Sequence, residues 1–177
     1  SFATKARDTM VPVNINSILL DILQFFESQL TLSDIGLDLA LDTKHTIEVL
    51  GQEVKLEQVF FNLIQNAILS MGKTSQPRLA ITTGIQDSIN PTTLKEESYA
   101  RITVRDNGEG IPHDIQEKIF DPFFTTRAAG SGMGLGLSIV DRIVRGFNGY
   151  IRVDSTPNEG TSFTVFLPAH QGDGIAT

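Results

Sequence analysis

The sequence predicts an α/β protein, a two-layer α/β sandwich with a mixed, mostly antiparallel sheet and three main helices. Two observations carry this. Three stretches have apolar residues at helical spacing and five or more alternate at strand spacing. The two kinds follow one another without the regular strand-helix-strand repetition of a doubly wound sheet. At 177 residues and 40% hydrophobic content, the chain has the material for one cored domain.

Residues 1–11 are unpatterned and read as a linker. Pro12 suits the first turn of a helix, and Ile15, Ile18, Leu19, Ile22, Leu23, Phe26 and Leu30 form its stripe. Ile35, Leu37, Leu39 and Leu41 alternate with polar or small residues, and Ile47 to Leu50 follows. Together these read as two antiparallel strands. From Glu53 to Met71 the period is helical again, with Leu56, Val59, Phe60, Leu63, Ile64 and Ala67 on one side and Asn62 and Asn66 outside the stripe. Leu79, Ile81, Thr83 and Ile85 alternate as a strand, and Gln86 to Ser98 reads as a polar hairpin loop.

Ala100, Ile102 and Val104 form the next strand, which stops at Asp106-Asn107-Gly108. Asp106 shares the parity of Ile102 and Val104, so its carboxylate points to the apolar side. His113 to Phe120 reads as a short helix. Gly130 to Val144 is a glycine-rich loop running into an amphipathic helix that ends at Gly146, Asn148 and Gly149. Ile151 and Val153, then Thr161, Phe163, Val165 and Leu167, are closing strands joined by Pro157 to Gly160. Residues from Ala169 read as a flexible tail.

Composition narrows the function. A net charge of −7 and the absence of a Lys/Arg run argue against a nucleic-acid surface. There is no cysteine for disulfide or thiolate chemistry. No apolar run reaches the roughly 18 residues of a membrane span. The chain begins at Ser1 and reads as a segment of a longer parent.

Besides the glycine-rich loop, four places carry candidate chemistry, each with a plainer reading beside it. Asn62 and Asn66, four apart on one helix, can turn both amide oxygens to one cation or phosphate, or they are two solvated amides. Asp106 can accept from an exocyclic amine of adenine, or it caps its own turn. Gly108 and Gly110 would let the chain bend around a flat ring. Thr161 points its hydroxyl inward from a strand start, or is an ordinary strand threonine. Phe120, Phe123 and Phe124 with Arg127 are core, or the hinge of a lid with Arg127 reaching a phosphate. The glycines at Gly130, Gly132, Gly134 and Gly136 leave backbone N–H groups open to an anion at a helix start.

In order, QVFFNLIQNA, DNGEGIP, FDPFFTT, GSGMGLGLSIV and GTSF resemble the N, G1, F, G2 and G3 boxes of the catalytic and ATP-binding domain of sensor histidine kinases, in the GHKL superfamily. The resemblance covers nearly the whole chain. It implies the Bergerat form of the α/β sandwich, with ATP and Mg²⁺ between the N-box helix and a mobile lid. By position, Asn66 resembles the magnesium-coordinating asparagine and Asn62 the other polar N-box residue. Asp106 resembles the adenine-binding aspartate, flanked by Gly108 and Gly110, and Thr161 the threonine near adenine. Gly132, Gly134 and Gly136 match the lid-side glycines, and the resemblance extends nucleotide contact to Ile111, Phe120, Met133, Leu135 and Leu137. Residues Phe124 to Met133 are expected to open and close as the lid.

Two departures stand out. Leu69 occupies a place where many members carry lysine, and Arg127, after FTT, is expected to supply a basic group instead. Hydrolysing relatives, gyrase-type and heat-shock chaperone ATPases, have a glutamate base four residues before the magnesium asparagine, where this chain has Asn62. An amide cannot take a proton at neutral pH. The resemblance therefore implies transfer of the γ-phosphoryl, with Asn62, Asn66 and Arg127 as catalytic positions, to a histidine on an upstream dimerisation and phosphoacceptor domain. His45, His113 and His170 sit in none of the family's acceptor contexts. Residues 1–11 would be a link to, or remnant of, that upstream helix, 12–168 the catalytic domain and 169–177 the tail. The expected partners are ATP or ADP, the upstream domain and, indirectly, a response regulator, with no nucleic acid and no membrane contact by this domain, which is expected in the cytoplasm under a parent that could be membrane-anchored. The alternatives are a degenerate nucleotide-binding module without transfer and a serine-directed kinase of the anti-sigma-factor type.

Overall fold

The computed structural model describes residues 9–124 and 136–171. Its elements in chain order are β1 (Val11–Asn14), α1 (Ile15–Leu32), β2 (Gly36–Ala40), β3 (Glu48–Gly51), α2 (Glu53–Ser70), β4 (Arg78–Ile89) and β5 (Glu96–Asp106). A 3₁₀ turn (His113–Lys118), α3 (Gly136–Gly146), β6 (Tyr150–Thr156) and β7 (Gly160–Pro168) follow. The main sheet runs β2-β4-β5-β7-β6, with β2 parallel to β4 and every other neighbour antiparallel. β1 and β3 form a separate antiparallel pair. This is the expected two-layer sandwich.

Strand alternation builds the inner face. Leu79, Ile81, Ala100, Ile102, Val104, Phe163, Val165 and Leu167 are buried against the helices. The helices answer with their stripes, Ile18, Leu19, Ile22 and Phe26 from α1 and Leu56, Val59, Phe60, Leu63 and Ile64 from α2. α2 packs on both α1 and α3 and lies over β5, so it is the middle of the helical layer. The last turn of α3 is closed by Asn148 in the left-handed region at φ 62°, whose neighbour Gly149 returns its N–H to the Val144 carbonyl at 2.9 Å.

The structure corrects three expectations. Pro12 does not open α1; it lies in β1 opposite Leu50, and the helix is capped by Asn14, whose side chain accepts from the Ser17 N–H at 3.0 Å. Residues 35–41 and 47–50 do not pair with each other. The connection from β2 to β4 includes the whole of α2, which is the crossover a parallel pair requires. β2 is thus an edge strand, and Leu37 and Leu39 stay partly exposed. Finally, Gln86 to Ser98 is not a loop: β4 runs to Ile89, β5 starts at Glu96, and only a short turn intervenes. The extension hid its period because its buried residue, Tyr99, packs on the other face of the sheet with Tyr150 and Phe166.

Asn14→Ala should lower unfolding stability by about 1 kcal/mol through loss of the cap. Urea unfolding measures this, with Asn14→Asp expected to match the native chain; an unaffected Asn14→Ala would place the helix start elsewhere.

Candidate functional site

The site is built where the C-terminal half of α2 passes over the ends of β5 and β7. Spacing of four puts Asn62, Asn66 and Ser70 on one side of α2, Asn62 and Asn66 each half-buried. Asp106 ends β5 and pairs directly with Thr161 on β7, and the two are only 4% and 5% exposed. Both side chains are therefore buried, as their shared parity with Ile102, Val104, Phe163 and Val165 implies.

A buried carboxylate needs donors. Asp106 Oδ1 accepts from the Gly108 N–H at 2.8 Å and from the Ser70 hydroxyl at 3.2 Å. The turn reading and the inward reading are thus both correct, since one oxygen closes the Asp106-Asn107-Gly108 turn while the side chain stays inside. Burial pushes the Asp106 carboxyl above the ordinary aspartate range, and the nearby Glu109 charge adds to this, against the lowering pull of the Gly108, Ser70 and Thr161 donors.

The surrounding backbone is fitted tightly to the carboxylate. A Cβ on Gly108 would run into Ser70, while the Glu109 N–H donates to the Ser70 carbonyl at 3.1 Å. Gly160, at φ 127°, has the Asp106 carbonyl where its side chain would be. Gly110, at φ 69°, lies against the Thr156 carbonyl, so it serves the packing of loop on loop. Ile111 is half-buried against the core, and its N–H donates to Ser155 Oγ at 2.8 Å. Phe120 packs edge-on against Phe163 with centroids 6.4 Å apart, and Phe124 packs on the core, whereas Phe123 is 73% exposed.

On the other flank, Asn62 Nδ2 donates to the Gly136 carbonyl at 3.4 Å, which ties the start of α3 to α2. Leu137 is half-buried beside it. Asn62, Asn66, Asp106, Gly108, Gly110, Ile111, Phe120, Gly136, Leu137 and Thr161 are therefore all placed on elements around the α2, β5 and β7 ends. Arg127, Gly132, Met133, Gly134 and Leu135, with most of the expected lid, lie outside the described residues.

No cluster of three His, Cys, Asp or Glu residues suited to a metal occurs among the described residues. A hard cation here would have to use amide oxygens together with oxygens of its ligand. Two residues that the sequence reading missed belong to the network. Ser70 continues the four-residue spacing from Asn62 and Asn66, and Ser155 shares the inward parity of Ile151 and Val153; both signals were present.

Comparison with known proteins bears on the family and the fold. Residues 51–171 match the family described as histidine kinase-, DNA gyrase B- and HSP90-like ATPase. The sensor kinase CckA of Brucella abortus (strain 2308) is 39% identical over 140 residues, covering 76% of this chain and 15% of that protein. Curated relatives of this kind are much longer, the chain spanning 15%, 23% and 33% of three of them. The catalytic domain of histidine kinase ThkA, in a nucleotide-free form, superposes with a TM-score of 0.74 at 28% identity, covering 90% of this chain and 95% of that one. ThkA in complex with the response regulator TrrA gives a TM-score of 0.71 at 26% identity, covering 91% of this chain and 42% of that one.

Because the Asp106 pKa is raised in the folded state, its ionisation weakens folding. The associated stability is full below the unfolded-state pKa and is lost as pH rises through the folded one. Asp106→Asn should therefore raise the melting temperature of the ligand-free protein at pH 7, and the gain should vanish near pH 3. A lower melting temperature at pH 7 would contradict this.

Proposed function

The chain belongs to the histidine kinase-, DNA gyrase B- and HSP90-like ATPase family, and we propose that it binds MgATP and passes the γ-phosphoryl to a histidine on an upstream domain of its parent. The observation that carries the nucleotide half is Asp106, a carboxylate kept inside at the paired ends of β5 and β7, with Thr161 opposite. Such a group at 4% exposure is costly unless donors meet it, and the amine of adenine is a donor of the right kind.

The phosphates would run from there toward Asn62 and Asn66. The residues fit magnesium in one way: with no carboxylate cluster among the described residues, the ion would be held by the Asn66 amide oxygen jointly with the phosphates and its waters. When bound, magnesium neutralises charge that builds on the transferring group. Gly132, Met133, Gly134, Leu135 and Gly136 would supply the loop side, with Arg127 as the basic group. Transfer is favoured over hydrolysis by Asn62, an amide at the position where the hydrolysing branch has its glutamate base.

In this reading the acceptor histidine lies outside this chain. His45 is bound to Asp42 at 2.8 Å, His170 faces Glu48 at 3.9 Å, and His113 lies beside Gln116 at the 3₁₀ turn. Residues 12–168 would form the catalytic domain, 1–11 the link to the acceptor helices and 169–177 a tail, though the first strand pairing already begins at Val11. A response regulator would take the phosphoryl from the acceptor histidine, and a domain serving it would stand in the cytoplasm. No helix among the described residues is long and apolar enough to cross a membrane. One observation favours a second reading: Leu69, 45% exposed, offers no charge where many relatives have lysine, as in a module that holds nucleotide without transferring phosphate.

MgATP titration of the wild type, Asp106→Ala and Asn66→Ala should show affinity falling about 10–100-fold for the first variant and a loss of magnesium dependence for the second. The chain alone should not label itself, and acid-labile phosphate should appear once the parent's upstream hairpin is added. Unchanged affinity in Asp106→Ala would remove the adenine assignment, and self-labelling of the chain alone would remove the acceptor assignment.

A further inference from the structure

Ser155 sits on β6 directly opposite Thr161, is not itself among the expected nucleotide contacts, and its hydroxyl makes three hydrogen bonds. It lies 3.1 Å from the Gly160 carbonyl, 2.8 Å from the Ile111 N–H and 2.8 Å from Thr161 Oγ1. A serine hydroxyl has one proton and two lone pairs. The Gly160 carbonyl can only accept, so it takes the proton. The Ile111 N–H can only donate, so it takes one lone pair. The second lone pair remains for Thr161, whose hydroxyl must then donate to Ser155. Reversing that bond would spend the serine proton on Thr161 and leave the Gly160 carbonyl facing a lone pair.

We propose that Ser155 is a positioning residue for nucleotide selection: by holding the Thr161 proton, it leaves Thr161 only lone pairs to present beside Asp106. This inference rests on the nucleotide assignment above. In the neighbouring Asp106 carboxylate, Gly108 and Ser70 both donate to Oδ1, and the lone pairs of the other oxygen, Oδ2, remain as a second acceptor. Two adjacent acceptors suit a purine with an amino group at position 6. They disfavour a purine with a carbonyl there, whose oxygen would face them unpaired. Ser155 also fixes the chain after Gly110 through the Ile111 N–H, and Gln116 Nε2 braces the same corner by donating to the Ile111 carbonyl at 2.9 Å and the Ser155 carbonyl at 3.2 Å.

Without the serine hydroxyl, the Thr161 proton is free to turn toward the ligand and donate to a carbonyl. Calorimetric titration with MgATP and with MgITP, whose base differs by that carbonyl and its ring proton, reads the effect. The wild type should prefer ATP, Ser155→Ala should lower the ITP-to-ATP ratio of dissociation constants about tenfold, and Ser155→Thr should restore it. A merely structural serine would weaken both nucleotides equally. For the case in which Ser155→Ala does not fold, NMR of the wild-type MgATP complex supplies the second reading: the Thr161 hydroxyl proton should show a nuclear Overhauser contact to the Ser155 Cβ protons. An unchanged ratio in a folded Ser155→Ala, or a hydroxyl contact to the purine instead, overturns the inference while ATP binding stands. A wild type that binds neither nucleotide overturns the nucleotide assignment and this inference with it.

Discussion

A carboxylate that must be kept inside sets the geometry of this end of the molecule. Asp106 shares its side of β5 with Ile102 and Val104, and moving it by one residue would exchange the buried and solvent-facing sets of the whole strand. It is therefore held inside by the register of the central strand, and its surroundings supply the donors that make this tolerable: the Gly108 N–H from its own turn and the Ser70 hydroxyl from the last turn of α2. The tight approaches at Gly108 and Gly160 follow from the same demand, because both bring backbone to Asp106 and its neighbours where a side chain would intrude.

This arrangement joins the two layers at one place. α2 spans the middle of the helical layer, presents Asn62, Asn66 and Ser70 along one side, and reaches Asp106 with the last of them. The same helix holds the first residue of α3 through Asn62. The polar groups proposed to face the nucleotide therefore stand on helix and strand ends, and their cost falls on Asp106, whose burial opposes ionisation. A site that is less stable empty than filled is a common price of binding function.

Much of the fold could be read from periodicity, because the buried stripes of α1 and α2 and the inner faces of β5 and β7 belong to single elements with one wet side. What could not be read depended on partners. Whether residues 36–40 pair with 48–51 or with 78–82 is decided by where α2 crosses, and nothing in either strand encodes it. Residues 86–98 concealed two strand extensions because Tyr99 is buried on the far face beside Tyr150, some fifty positions away. In the site, parity alone placed Asp106 and Thr161 inward. Ser70 and Ser155 carried the same spacing and parity signals, but what a serine does with an inward position shows only when its hydrogen-bond partners are known.

The most direct test is a crystal structure of this chain with a non-hydrolysable MgATP analogue. The predicted result puts the exocyclic amine of the base about 3 Å from the Asp106 carboxylate, with the phosphates on the side of Asn62 and Asn66. A base bound elsewhere, with Asp106 making only its bonds to Ser70, Gly108 and the backbone, would contradict it.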